Sequence, residues 1–451
     1  MPESPYWNPR HETMPRAELE GLQLRKLRSL LEWAGAKVPW HAERLRGAGV
    51  TPDSLRSLDD LRRVPFMTRD EWMQGQLERP PYGNLLAAPP EAAVRYHMTS
   101  GTTGRTPIRV LDSLKDWEWI AEMWCYALWG FGVRPADTVF VAFGYSTFIG
   151  FWGLHGAAEK LGCLVLAGGA MTTEQRVRQL ADMGATVVAS TPTYALRLAQ
   201  EARRLGVDLA ASPVRRLILS GEPAGSIPAT KRLIEDQWGA KAGDTAGMTE
   251  LGTIMMFECE RQPGGTHVIE DHYVEEVVDP ETAAPVGYGE MGERVVTSFG
   301  RGFIPVLRYR TRDLVVKVPH SRCDCGRTFD LYEGGIRGRV DDMKLVRGTN
   351  VYPRAIEAIV REHEQIDEFQ IHLFTAEGIR DEIEVLVELP DPAVDRAPLL
   401  ERLAGDLAGA HEALRFGVRE VEAGSLPRFE LKARRVVDER TVIGGEGERR
   451  Q

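Results

Sequence analysis

The residues best equipped for chemistry sit together at Thr99-Ser100-Gly101-Thr102-Thr103-Gly104, with Arg105 directly behind. This run holds four hydroxyls and two glycines in six residues. Glycine lets a backbone turn tightly and bring its N–H groups close to a polyanion, while hydroxyls and a guanidinium add donors and charge. A loop of this kind between two strands suits the β- and γ-phosphates of a nucleotide. It is not the Walker pattern, because no Gly-Lys-Ser/Thr follows at the required spacing. Taken alone, the run also fits a polar hairpin turn.

Further along, Asp313 lies among cations in Tyr309-Arg310-Thr311-Arg312-Asp313-Leu314. A short, rigid carboxylate at a strand end suits the two hydroxyls of a ribose, although the same cluster reads as surface ion pairs. Glu250 closes the turn Asp244-Thr245-Ala246-Gly247-Met248-Thr249-Glu250 and suits Mg²⁺, since hard cations take carboxylate oxygen; the alternative is a solvated turn residue. Lys432, one of only nine lysines, falls in a late loop, where a lysine is ordinarily a solubilising charge. Cys323-Asp324-Cys325-Gly326 is a tight thiolate pair, with Cys259 and His267 upstream. Three cysteines and a histidine suit a closed, tetrahedral structural Zn²⁺, and free core cysteines are the plainer reading.

Positioning these groups requires an alternating scaffold. Before the phosphate loop, residues 14–48 read as helical and residues 51–64 as a second short helix. After it, helix patterns (114–131, 150–161, 174–183, 192–205) alternate with apolar strand runs (138–143, 163–167, 185–190, 216–220). That alternation indicates parallel sheet built from βαβ units, with ligands beyond the carboxyl ends of the strands. Ser220-Gly221-Glu222-Pro223 and Asp244–Glu250 fall at two such ends. From about residue 266 the pattern becomes short β runs, including separate ones at 306–310 and 314–318. Beyond a polar connector at 338–353, helix and strand patterns make a compact α+β unit. The expected fold is α/β. A large N-terminal domain (1–340), with parallel βαβ sheet and a β-rich subregion, precedes a small mobile α+β C-terminal domain (341–451).

At 451 residues the chain exceeds single-domain size, and its 43% hydrophobic and 27% charged content is ordinary for a globular protein. A net charge of −10 argues against nucleic-acid and anionic-membrane partners, and no apolar run reaches the length of a membrane span. The first residues lack a secretory pattern, and five cysteines make no disulfide framework, so the expected compartment is the cytoplasm. The oligomeric state, a homodimer included, is open.

These motifs occur in the order of the adenylate-forming superfamily, and more narrowly the chain resembles phenylacetate–CoA ligases and related aryl-acid–CoA ligases. Tyr6-Trp7, Val64-Pro65-Phe66, His267–His272, Cys323–Thr328, Gly338-Arg339-Val340-Asp341-Asp342 and Arg347–Pro353 carry the likeness, which runs from about residue 6 to about 440. The resemblance implies that Thr99–Arg105 hold the phosphates of ATP. It implies that Gly221, Glu222 and Pro223 border adenine and acyl substrate, and that Asp244, Thr245, Ala246 and Thr249 contribute to the nucleotide site. Asp313 would bind the ribose with Arg339 beside it, and Glu250 would hold Mg²⁺. Tyr145, Phe148, Gly247 and Met248 would line the acyl pocket, suiting a flat aromatic acid; Phe151 and Trp152 read equally as core. Asp341 would be a hinge, and Lys432 would enter the site for the first of two half-reactions. Cys259, His267, Cys323 and Cys325 would bind structural zinc.

The implied activity is ATP-dependent formation of an aryl-adenylate with release of pyrophosphate, then transfer to coenzyme A. Four positions depart from the pattern: Ala246 in place of an aromatic, Arg105 in place of lysine, Lys344 past the hinge and Leu431 before Lys432. They leave open a different acceptor (a carrier-protein thiol, an amine or another nucleophile) or a non-aryl acid. A non-catalytic nucleotide-binding regulator is the competing reading from another class.

Overall fold

The computed structural model describes residues 4–99, 106–376, 380–429 and 433–440. Ser100–Arg105 and Lys432 therefore lie outside the described residues. The main body is built on one twelve-stranded sheet. Five strands run parallel, in the spatial order Leu164–Ala167, Thr138–Val141, Val187–Ser190, Arg216–Ser220 and Lys241–Gly247. Burial on both faces explains the apolar run of an inner strand such as Val187–Ser190, buried at every position, whereas the edge strand Leu164–Ala167 is partly exposed. The helices between them are capped as their sequences dictate. Thr172 and Thr191 accept N–H groups at two N-termini, and Gly162, Gly206 and Gly239 close three helices in the left-handed conformation. Helix Pro192–Leu205 packs Tyr194, Ala195, Leu198, Ala199 and Ala202 into the core beneath the sheet.

The sheet then continues antiparallel through Ile254–Phe257, Gly265–Val268, Leu331–Glu333, Val306–Val318, Met291–Ser298 and Tyr273–Val278. Residues 306–310 and 314–318 are not separate strands but parts of one thirteen-residue strand. Arg308 and Arg312 within it have positive φ (45° and 65°), and its pairing with Met291–Ser298 slips twice. These irregularities, together with the run of arginines, hide its continuity in the sequence. Residues 51–64 form two short 3₁₀ turns, Pro52–Ser54 and Leu58–Arg63, rather than one helix. Thr51 and Ser57 each start a fresh cap. Helix Arg69–Glu78 follows, capped by Thr68.

Downstream, Val346, Ile356, Val360, Ile371, Val385 and Leu403 belong to a separate hydrophobic cluster. It lies under a four-stranded sheet ordered Gly417–Val421, Arg380–Glu388, Phe369–Ala376, Val436–Asp438, flanked by helices Pro353–Arg361 and Arg396–Ala410. The last strand, Val436–Asp438, pairs in parallel with Phe369–Ala376. Among the described residues no helix is long and apolar enough to cross a membrane.

Candidate active site

Near the carboxyl ends of the parallel strands, Asp244 borders one crevice, and Glu222 and Arg339 border another. Strands Arg95–Met98 and Arg109–Asp112 pair as a hairpin whose connection contains Ser100–Arg105. Thr99 begins that connection and accepts the Ile108 N–H on its hydroxyl at 3.0 Å.

Glu250 is buried, and its Oε1 accepts Arg69 Nη1 at 3.2 Å and the Tyr309 hydroxyl at 3.5 Å. Arg69 also reaches the Thr106 carbonyl at 3.3 Å, tying the start of the segment that leads into strand Arg109–Asp112 to the same carboxylate. Arg301, fully buried, forms two bonds to Asp112 (2.7 and 2.9 Å) and donates Nη1 to the Thr249 and Glu250 carbonyls (2.8 and 3.2 Å). One guanidinium thus locks the Thr249-Glu250 turn to the hairpin strand. The sequence singled out neither arginine. Arg69 follows the Pro65-Phe66-Met67-Thr68 segment, and backbone bonds between Met67 and the 306–318 strand bring it to the site.

Tyr309 and Asp313 share that strand. Asp313 is buried; Arg339 Nη1 donates to its Oδ1 at 2.9 Å, and Arg294 lies 3.8 Å from its Oδ2. Burial raises the Asp313 pKa, and the two arginines oppose that rise. Arg339 also donates Nε to Asp341 Oδ1 at 2.9 Å. Asp244 is more strongly perturbed: burial, then the neighbouring Glu258, push it up to about 7. Thr245 donates its hydroxyl to the Leu219 carbonyl at 2.8 Å. Ala246 packs near Met256 and Tyr332, and Gly247 lies so close to the Thr253 carbonyl that a Cβ would meet it at 2.5 Å. Met248 packs against the main core. Asp244 also borders a cavity of about 590 Å³ lined by Ser226, Lys231, Glu258, Gly334 and Arg354. Arg354, from the small domain, closes one side by donating to the Gly334 carbonyl at 2.9 Å and Ser226 Oγ at 3.2 Å.

On the other flank, Phe143 stacks near Phe148 (centroids 5.7 Å) and Phe151 (4.3 Å), and Tyr145 near Trp152 (4.7 Å). Tyr145 and Phe148 are only partly buried, whereas Phe151 is core. The Tyr145 hydroxyl meets His155 Nδ1 at 2.8 Å, which makes His155 a support for that ring.

Gly221 turns at φ 98°, a conformation that favours glycine, and directs Glu222 toward the small domain. Glu222 accepts the Thr193 N–H at 2.7 Å and the Ala433 N–H at 3.0 Å. On either side of residues 430–432 the chain is anchored to the small sheet. Glu388 accepts the N–H groups of Gly424 and Leu426 (2.9 and 2.6 Å) and Arg428 Nη2 (2.6 Å); Ile371 donates to the Arg435 carbonyl at 2.7 Å.

The ligand atoms of Cys259, His267, Cys323 and Cys325 lie within 4.8 Å of one another. The sulfurs of Cys259 and Cys323 are 3.7 Å apart, and Cys325 Sγ is 3.4 Å from His267 Nε2. His267 Nδ1 meets the Phe329 carbonyl at 3.0 Å, which turns Nε2 toward the thiols. Tetrahedral Zn–S bonds of about 2.3 Å require sulfurs about 3.8 Å apart, so the four side chains fit a zinc ion.

Fold and site together define an adenylate-forming enzyme. The AMP-binding enzyme model matches residues 36–300, and the AMP-binding enzyme C-terminal domain matches residues 348–440. Phenylacetate-coenzyme A ligase of Thermus thermophilus is 36% identical over 86% of this chain and 85% of that enzyme. The Escherichia coli phenylacetate-coenzyme A ligase is 33% identical over 96% and 98%. The chain belongs to this ligase family. Among solved structures, 2-hydroxyisobutyryl-CoA ligase in its postadenylation state, bound to 2-HIB-AMP, superposes with a TM-score of 0.90. It is 32% identical and covers 97% of this chain and 93% of that one. The same ligase with 2-HIB-AMP and CoA in its thioesterification state gives 0.74, at 33% identity over 98% and 94%.

Proposed function

We propose that this enzyme activates an aromatic carboxylic acid with ATP as its adenylate and passes the acyl group to coenzyme A. The observation that carries the reading is the strand Val306–Val318. It brings Tyr309 to Glu250 and Asp313 to Arg339, so the carboxylate suited to the metal and the one suited to the ribose are aligned by one element. In this reading Thr99 and Ser100–Arg105 cradle the phosphates. Gly221, Pro223, Asp244, Thr245, Ala246 and Thr249 surround the nucleoside, while the Glu222 carboxylate is taken up by Thr193 and Ala433; Tyr145, Phe148, Gly247 and Met248 border the acid.

The acid's carboxylate attacks the α-phosphorus, the bond to pyrophosphate breaks, and the thiol of coenzyme A then displaces AMP from the acyl carbon. Charge gathers on the phosphate oxygens in the first step, where preorganised donors lower the barrier. Glu250 offers one hard oxygen site, as Mg²⁺ shared with substrate phosphates requires; the ion would neutralise phosphate charge. Lys432 bridges the carboxylate and the α-phosphate while the small domain is closed, and rotation of residues 341–451 about Asp341 withdraws it. The higher TM-score to the postadenylation state supports reading this arrangement as the one for the first half-reaction. The cysteine–histidine cluster would hold structural zinc.

The test is ATP-dependent pyrophosphate release with phenylacetic, benzoic, hydroxybenzoic, aminobenzoic and small hydroxy acids, with and without coenzyme A, followed by mass spectrometry. An aryl-CoA product is expected. Adenylate without thioester would mean another acceptor, and turnover of only the small hydroxy acid would remove the aromatic assignment.

A further inference from the structure

We infer that Glu222 is a positioning residue that docks the segment carrying Lys432 onto the large domain for the first half-reaction. The inference rests on the role of Lys432 proposed above. Both oxygens of the Glu222 carboxylate are engaged: Oε1 accepts the Thr193 N–H at 2.7 Å, and Oε2 accepts the Ala433 N–H at 3.0 Å. Thr193 opens the helix Pro192–Leu205, where unpaired N–H groups and the helix dipole favour an anion. The first oxygen therefore fixes the side chain on the large domain, and the second receives the residue immediately after Lys432.

A second grip lies two residues on. Arg435 is buried and bonded within the small domain to Glu368 (Nε, 2.7 Å) and Glu357 (Nη1, 3.1 Å), and it reaches Thr193 Oγ1 at 3.4 Å. Thr193 is thus held by its N–H from Glu222 and by its hydroxyl from Arg435. The Ala433–Glu222 and Arg435–Thr193 contacts cross between the large domain and the small one, and neither survives a rotation of the small domain about Asp341. They stabilise one of two arrangements only, which is what shifts a population. Hydrogen bonds to a charged group are the stronger kind, so losing this dock should weaken the closed arrangement about 10- to 100-fold.

The test compares Glu222→Ala and Glu222→Gln with the parent enzyme in three measurements: pyrophosphate release, thioester formation from supplied aryl-adenylate and coenzyme A, and hydrogen exchange across 429–440. For Glu222→Ala the turnover of adenylation should fall about 10- to 100-fold while KM for ATP stays within about threefold, and thioester formation should fall far less. Glu222→Gln, which keeps one acceptor oxygen, should recover part of the loss. The Ala433 amide should exchange faster in Glu222→Ala. Unchanged exchange at Ala433 would overturn the inference. So would a rise in KM for ATP with both half-reactions falling together, the signature of a side chain that binds the nucleotide. If the parent enzyme releases no pyrophosphate with any acid, the ligase reading fails, while exchange at Ala433 still reports on the dock.

Discussion

Arg339 stands directly opposite Asp313 in the antiparallel pairing of Gly338–Arg339 with the long strand, and its Nη1 donates to the carboxylate at 2.9 Å. The same guanidinium holds Asp341 two residues later. The carboxylate proposed to bind ribose and the residue proposed as the hinge are therefore joined through one side chain. Removing that cation leaves Asp313 buried with only Arg294 nearby, so its pKa, already raised by burial, climbs further. An Arg339→Met enzyme should show a higher KM for ATP. Because Asp313 must be ionised to accept ribose hydroxyls, the defect should deepen as pH falls. A pH series of KM for ATP checks it, and a defect independent of pH would count against the assignment.

Lys432→Ala should lose adenylation by about 100-fold or more while still making thioester from supplied adenylate, since a preorganised cation serves only the step in which phosphate charge develops. Equal losses in the two half-reactions would contradict it.

Asp244 makes a calorimetric prediction. Free enzyme holds its proton up to about pH 7, because burial and Glu258 disfavour the anion. If the ionised carboxylate accepts the adenine amino group, ATP binding lowers this pKa and expels a proton. Affinity for ATP should therefore rise with pH and level off above about 7. Titration calorimetry near pH 6.5, about half a unit below that point, in buffers of different ionisation heat should detect the released proton. Asp244→Asn should release none.

The cysteine–histidine cluster predicts one zinc per chain by elemental analysis. Cys325→Ser should lower both the metal content and the thermal midpoint. Chelator-treated enzyme that binds no added zinc and keeps its midpoint would show that the four side chains are only core.

Arg301→Met should destabilise by about 3–5 kcal/mol in denaturant, because it strands buried Asp112 without its partner. It should also lower adenylation by freeing the Glu250 turn. Adding Asp112→Leu should restore stability more than activity.

Legibility in the sequence followed the range of the interactions. The βαβ half was readable because buried strands such as Val187–Ser190 show as apolar runs, and capping threonines and glycines mark the helix ends. Asp313, Glu250 and the cysteine cluster stood out by residue type and neighbours. What stayed hidden were pairings across great sequence separation: Arg301 with Asp112, Arg69 with Glu250, Ala433 with Glu222. Each of those residues is ordinary in its local window, and only the folded sheet makes it a partner. The long strand was misread for the opposite reason, since its polar, kinked backbone broke the apolar signal that a straight strand would have given.

Lys432 lies four residues after Arg428 and three before Arg435, both of which are fastened to the four-stranded sheet. At no more than about 3.6 Å per residue, its backbone stays within roughly 15 Å of either anchor. In the role proposed for Lys432, the sheet that holds both anchors would travel with it. Its withdrawal would then be the rolling of a bulky body through water, with solvent drag as part of the clock. Thickening the medium should slow the passage between half-reactions while leaving bond-making at either station untouched.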